Sequence, residues 1–266
     1  VEGMMGLYDG TNSTAYVAET LGLPVVLVVD AKAGMESVAA QALGFRAYAD
    51  EAGRDIDVVG VVAQRAHGGR HAEGIRDALP EGLAYLGRVP PRSGLDVPDR
   101  HLGLHMGEES PVDPDALAEA SDHLEIERLV ELAREPPRAD PDPAAPETDA
   151  TVAVADDPAF CFRYPASIER LRERASVVSF SPVAGDPLPE CDGVYLPGGY
   201  PELHGAALEA GGTLAEVGEK ASEGLAVLGE CGGLMALAET LTDSDGAEHR
   251  MAGVLPADVR MCDRYQ

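Results

Sequence analysis

Val25-Val26-Leu27-Val28-Val29-Asp30 (VVLVVD) is an unbroken, mostly β-branched run that ends on a carboxylate. A continuous run of this length suits a strand buried on both faces of a parallel sheet, where alternation with polar residues is not needed. Outward from it the pattern repeats. Ser37 to Glu51 reads as a helix, Ile56 to Ala63 as a strand, Gly69 to Leu79 as a helix and Leu83 to Val89 as a strand. The order is βαβαβ, the mark of an α/β fold with a largely parallel sheet. Further on, Asp113 followed by Pro114 marks a helix start. Leu117, Ala120 and Leu124 share one face of that helix, with Leu129, Val130 and Ala133 extending its apolar surface.

A boundary follows. Residues 135–149 read EPPRADPDPAAPETD, with five prolines and no large apolar side chain, an extended solvated linker. It separates an expected domain at 1–134 from one at 150–266. The second repeats the logic of the first without an internal sequence repeat. Strands are expected at Thr151–Ala155, Val177–Phe180, Val194–Leu196 and Leu225–Leu228. Helices are expected near Pro165–Arg174, over Pro201 to Lys220 with a break at Gly211-Gly212, and from Gly232 to Glu239. Val1-Glu2-Gly3 reads as a strand end running into a loop, and no closing element follows before Gln266, so we expect a piece of a longer protein.

The 266 residues are 45% apolar and 25% charged, ordinary for a soluble domain pair. The charge is not ordinary. Asp and Glu number 47 against 20 Lys and Arg, a net charge of -27. Nucleic acid is excluded as an expected partner, because no basic stripe exists to displace counterions. No run is long and apolar enough for a membrane helix, and no basic, apolar leader opens the chain. We therefore expect a cytoplasmic protein. Only Lys32 and Lys220 are lysines. A carboxylate-rich, lysine-poor surface suits a halophilic protein, since molar salt screens its self-repulsion.

The residues that carry chemistry lie at strand ends. Gly229-Glu230-Cys231-Gly232-Gly233 follows an apolar strand and opens a helix. Such a turn holds a nucleophile in strained geometry and needs small neighbours. The helix N-terminus favours thiolate, and the Gly232 N–H can stabilise an oxyanion. Leu196-Pro197-Gly198-Gly199-Tyr200-Pro201-Glu202 also follows a strand, with two glycines whose amides can face a ligand. Cys161, Cys191 and Cys262 lack such a setting and read as structural thiols. His204 and His249 read as surface residues, and His71 and His101 as structural or surface ones. In the first domain, VEGMMGLYDG at residues 1–10 sets Glu2 and Asp9 in a glycine-rich loop, a setting that suits Mg²⁺ carrying nucleotide phosphates. No G-x-x-x-x-G-K-[ST] phosphate loop occurs, and Lys32 lies in the wrong motif to replace its lysine.

The two glycine motifs of the second domain together resemble the triad-type glutamine amidotransferases. The ordered set VEGMMGLYDG, VVLVVDA, GVVAQR, RHLGL, AFCFRYP, YLPGGYPE and GECGGLM resembles the cobyrinic acid a,c-diamide synthase family along essentially the whole chain. The resemblance implies an N-terminal P-loop-NTPase-like (dethiobiotin-synthetase-like) domain and a C-terminal class I amidotransferase domain of flavodoxin-like fold. Both would be truncated, the phosphate loop lying before Val1 and the catalytic His after Gln266. It implies Cys231 as nucleophile, with the amides of Gly199 and Gly232 as oxyanion hole. Glu2 and Asp9 would serve the ATP- and Mg²⁺-dependent activation of a corrin carboxylate. Gln64 stands where the family often has an Asn facing the nucleotide base. The implied partners are glutamine, ATP and a corrinoid or related tetrapyrrole; a homo-oligomer stays open. Amidation of nickel-sirohydrochlorin, cobyric acid synthesis and a non-catalytic binding fragment are the competing readings.

Overall fold

The computed structural model describes residues 6–96, 99–100, 103–104, 112–137 and 148–262. The expected strand end at Val1–Gly3, Glu2, His101 and linker residues 138–147 lie outside that set. The chain divides into two compact units, Val1–Asp140 and Pro141–Gln266.

The first unit contains α1 (Thr14–Leu21), β1 (Val25–Asp30), α2 (Glu36–Glu51), β2 (Val58–Gln64), α3 (Arg70–Ala78) and β3 (Ala84–Val89). Two-residue strands β4 (Asp99–Arg100) and β5 (Gly103–Leu104) and helices α4 (Pro114–Ser121) and α5 (Ile126–Leu132) follow. Strands β1, β2 and β3 pair in that order, all parallel, with Leu27 opposite Val61 and Asp30 opposite Gln64. The expected βαβαβ core is present. Burial of β1 on both faces is not. Leu27 and Val29 join Val38 and Ala42 of α2 in the core, but Val28 is 64% exposed. Alternation along the strand turns Val28 to the opposite face, so an all-apolar run here fills one face only.

The expected continuous apolar surface from Leu117 to Ala133 is also corrected. Two short helices replace it. Asp113 caps α4 by accepting from the Asp115 N–H at 2.9 Å, with Pro114 at the first position. The chain then leaves the helix to pair with β3: Arg88 N–H donates to His123 O at 3.0 Å and Glu125 N–H to Leu86 O at 3.1 Å. Gly87, at φ +103°, permits that approach, for a side chain there would strike the His123 carbonyl. Ala116 and Ala120 are buried, whereas Leu117 and Val130 are exposed.

The second unit contains β6 (Thr151–Ala155), α6 (Pro165–Arg172), β7 (Ser176–Phe180), β8 (Gly193–Leu196), α7 (Gly205–Gly211) and α8 (Thr213–Ser222). Then come β9 (Ala226–Gly229), α9 (Gly232–Ala236), β10 (Thr240–Thr242), β11 (Glu248–Arg250) and β12 (Asp258–Arg260). The main sheet is parallel, in the order β7-β6-β8-β9. The chain moves from β6 to β7 on one side and returns with β8 on the other. That reversal puts the switch point of the sheet between β6 and β8, and the carboxyl ends at such a point are the usual ligand position. Its core packs Phe160, Phe180 and Leu196 against Leu208, Leu214 and Leu237. A small second sheet, β11-β10-β12, was not expected from the sequence.

Candidate active site

Two residues, Glu230 and Cys231, separate the end of β9 from the start of α9. The Glu230 N–H donates to Leu196 O at 3.0 Å, which carries the ladder with β8 one residue past the strand. The chain then reverses at Cys231, with φ +51° and ψ -111°. Left-handed backbone is uncommon for a residue with a Cβ and persists where neighbours fix it. The glycines make it fit. A side chain on Gly233 would collide with the Leu196 carbonyl, and one on Gly229 would sit 2.6 Å from Leu237 Cδ1. Cys231 is exposed.

The second glycine loop leaves β8 and meets this turn. A Cβ on Gly198 would lie 3.3 Å from the Cβ of Cys231, and a Cβ on Gly199 would collide with the Ala159 carbonyl. Gly232 stands backbone to backbone with Gly199: its Cβ would lie 2.8 Å from Gly199 O and 3.0 Å from Gly199 N. Cys231, Gly199 and Gly232 are therefore brought together beyond the carboxyl ends of β8 and β9. The loop after β6 closes the group, with the Phe162 N–H donating to Gly198 O at 2.9 Å. The Phe162 ring packs edge-on against Tyr200, centroids 4.9 Å apart. Two amides beside an exposed thiol on a strained turn can hold the oxyanion formed when sulfur attacks an amide carbonyl.

Sequence reasoning missed one partner of this turn. The Tyr195 hydroxyl donates to Glu230 Oε2 at 2.7 Å. Partial burial, then the adjacent Glu230 carboxylate, push the Tyr195 phenol up to about 12. Its only sequence signal was that Glu230 directly precedes the cysteine.

Several smaller expectations change. His249 is not a surface residue: its side chain is 11% exposed and its Nε2 lies 2.9 Å from Asp243 Oδ2. Its ring lies against Gly205, where α7 begins. The Asp243 carboxyl is held below its usual range, first by this hydrogen bond. His204 is half-buried at the N-terminus of α7. Cys161 and Cys191 are partly buried, and burial pushes the Cys191 thiol up, in keeping with a structural reading. Cys262 is exposed and does not fit that reading.

In the first unit, Asp9 closes a tight turn, its N–H donating to Gly6 O at 3.2 Å with the carboxylate folded over Gly6. It is exposed, as is Gln64 at the end of β2. Tyr8 beside it packs edge-on against Tyr48, centroids 5.1 Å apart. His71 is structural: it accepts from the His67 N–H at Nδ1 and donates to Gly34 O from Nε2 at 2.9 Å. Among the described residues no group of three or more His, Cys, Asp or Glu could hold a metal ion. A lone exposed carboxylate such as Asp9 fits Mg²⁺ that arrives on nucleotide phosphates and keeps most of its waters. Among the described residues, no helix is long and apolar enough to cross a membrane.

Residues 151–266 match the CobB/CobQ-like glutamine amidotransferase domain family. The whole chain is 69% identical to a Halobacterium salinarum protein named cobyrinate a,c-diamide synthase, covering 60% of it. It is 65% identical to the protein of that name from Haloarcula marismortui, covering 62%. Over 99% of the chain it is 38% identical to a hydrogenobyrinate a,c-diamide synthase of Brucella anthropi, covering 63%. The chain thus spans about 60% of the length of the curated relatives it matches. The resemblance found in the motifs is borne out: the chain is similar throughout to the cobyrinate and hydrogenobyrinate a,c-diamide synthases, and its residues 151–266 match the CobB/CobQ-like glutamine amidotransferase domain family.

Proposed function

We propose that the full-length protein amidates the a and c side-chain carboxylates of cobyrinic acid in cobalamin biosynthesis, with glutamine as nitrogen donor and ATP as activator. The observation that carries this is the junction of Cys231 with Gly199 and Gly232. The Cys231 sulfur attacks the glutamine side-chain amide, giving a γ-glutamyl thioester and releasing ammonia; water then frees glutamate. The Gly199 and Gly232 amides hold the oxyanion of each tetrahedral intermediate. In the first unit, read as P-loop-NTPase-like, a corrin carboxylate takes the terminal phosphoryl group of ATP. Ammonia displaces phosphate from the acyl phosphate to leave the amide. Asp9, with Glu2, would hold the Mg²⁺ that arrives with ATP and neutralises phosphate charge. Gln64 would stand at the nucleotide base.

The cobalt-containing substrate is preferred because the relatives at 69% and 65% identity carry the cobyrinate name, whereas the hydrogenobyrinate relative is at 38%. The reading includes a cytoplasmic, salt-adapted enzyme, supported by the carboxylate-rich, lysine-poor composition. The test is a product mass spectrum. Full-length protein with glutamine, MgATP and cobyrinic acid should yield the diamide. Glutamine hydrolysis with no amidated corrinoid would refute the substrate assignment.

A further inference from the structure

Among the described residues, two that are not glycine hold left-handed backbone: Cys231 and Arg65, the latter at φ +57°. Such geometry persists where the surroundings over-determine it, and it gathers at working sites. The chemistry of Cys231 accounts for the first; nothing above accounts for the second.

Arg65 directly follows β2, where β1 and β2 end side by side with Asp30 opposite Gln64. The backbone around it is pinned to both neighbouring strand ends. The Ala31 N–H donates to Gln64 O at 2.8 Å, and the Ala66 N–H to Val89 O at 3.2 Å. The left-handed turn aims the guanidinium back over the sheet edge at Asp30. Arg65 Nε donates to Asp30 Oδ1 at 3.0 Å, and Nη2 pairs with Oδ2. The Lys32 N–H also donates to Oδ1, at 3.0 Å. About half of each side chain is exposed, 51% for Arg65 and 49% for Asp30. An ion pair this open adds little stability, so it does not explain the retention of a strained backbone. Position does. The pair lies at the carboxyl edge of a parallel sheet, where ligands of such sheets bind. Arginine's planar fork meets phosphate oxygens in the same two-point manner as it meets a carboxylate.

We propose that Arg65 is an oxyanion receptor of the first unit. Asp30 fills its fork in the free protein, and a substrate phosphate or carboxylate takes that place on binding. The exchange swaps one oxyanion for another and makes no covalent bond. This rests on the proposed function, whose substrates supply both kinds of group: phosphates on MgATP and carboxylates on cobyrinic acid.

The experiment is calorimetric titration of full-length protein with MgATP and, separately, with cobyrinic acid, on wild type, Arg65→Gln and Asp30→Asn. Melting temperature and glutamine hydrolysis by the second unit report that each variant is folded. Arg65→Gln should weaken one of the two ligands by about tenfold or more, the loss of a charge-assisted contact. The ligand weakened identifies the source of the oxyanion. Asp30→Asn removes the competitor and should leave that ligand bound as tightly or more tightly. A strand-end brace predicts the opposite, equal loss in both variants. The proposal is overturned if Arg65→Gln changes neither affinity, or if its loss exceeds that of Asp30→Asn by less than about tenfold. Wild type that binds neither ligand overturns the proposed function and this assignment with it.

Discussion

A Cβ placed on Gly232 would lie 2.8 Å from the carbonyl oxygen of Gly199, so the two glycine loops of the second unit meet backbone to backbone beside Cys231. The contact leaves no room for a methyl group without moving one of the two amides. Gly232→Ala should therefore reduce glutamine-dependent turnover about 10²–10³-fold, the usual effect of losing one oxyanion donor. Ammonia-dependent amidation by the same variant should stay close to wild type. Steady-state rates with each nitrogen source check this, and equal loss in both would place the damage elsewhere.

Tyr195 provides a pH-dependent signature. Its phenol is pushed from 10.0 to about 12 by burial and then by Glu230. A phenol raised in the folded state contributes stability that is complete below pH 10 and is lost as pH rises from 10 towards 12. Denaturant titrations of the full-length protein across that window should show the decline, and Tyr195→Phe should flatten it. Parallel curves for the two proteins would dismiss the role of the pair.

Much of the frame and half of the site could be read from the chain itself. VVLVVD and the glycines around Cys231 act locally: a β-branched run favours a strand, and a strand-to-helix reversal needs small neighbours. The rest depends on contacts between distant segments. Nothing in Val28 distinguishes it from Val29; the face it presents follows from where α2 packs. Strands β10 to β12 are three residues each, TLT, EHR and DVR, too short and polar to show a period. His249 reads as a surface residue until Asp243 and Gly205 are seen around it. Tyr195 and Glu230 meet only once β8 and β9 are paired.

A variant at Asp9 should separate the two proposed chemistries. Its exposed carboxylate lies in the first unit, while Cys231 lies in the second. In the full-length protein, Asp9→Ala should abolish amidation and leave glutamine hydrolysis measurable. Near-normal diamide formation by the variant would remove Asp9 from phosphate and metal binding.

The net charge of -27 sets an expectation for salt. At about 1 M salt the Debye length falls to about 3 Å, so carboxylate repulsion is largely screened. The melting temperature should climb steeply from low salt to molar KCl. A value flat over that range would contradict adaptation to salt.

In the proposed function, Cys231 generates ammonia that a separate site consumes. Cys231→Ser in the full-length protein tests it, with diamide formation measured once with glutamine and once with concentrated ammonia. The glutamine-supported reaction should stop while the ammonia-supported reaction continues near the wild-type rate. Retained glutamine-dependent amidation, or loss of both reactions in a folded variant, would contradict it.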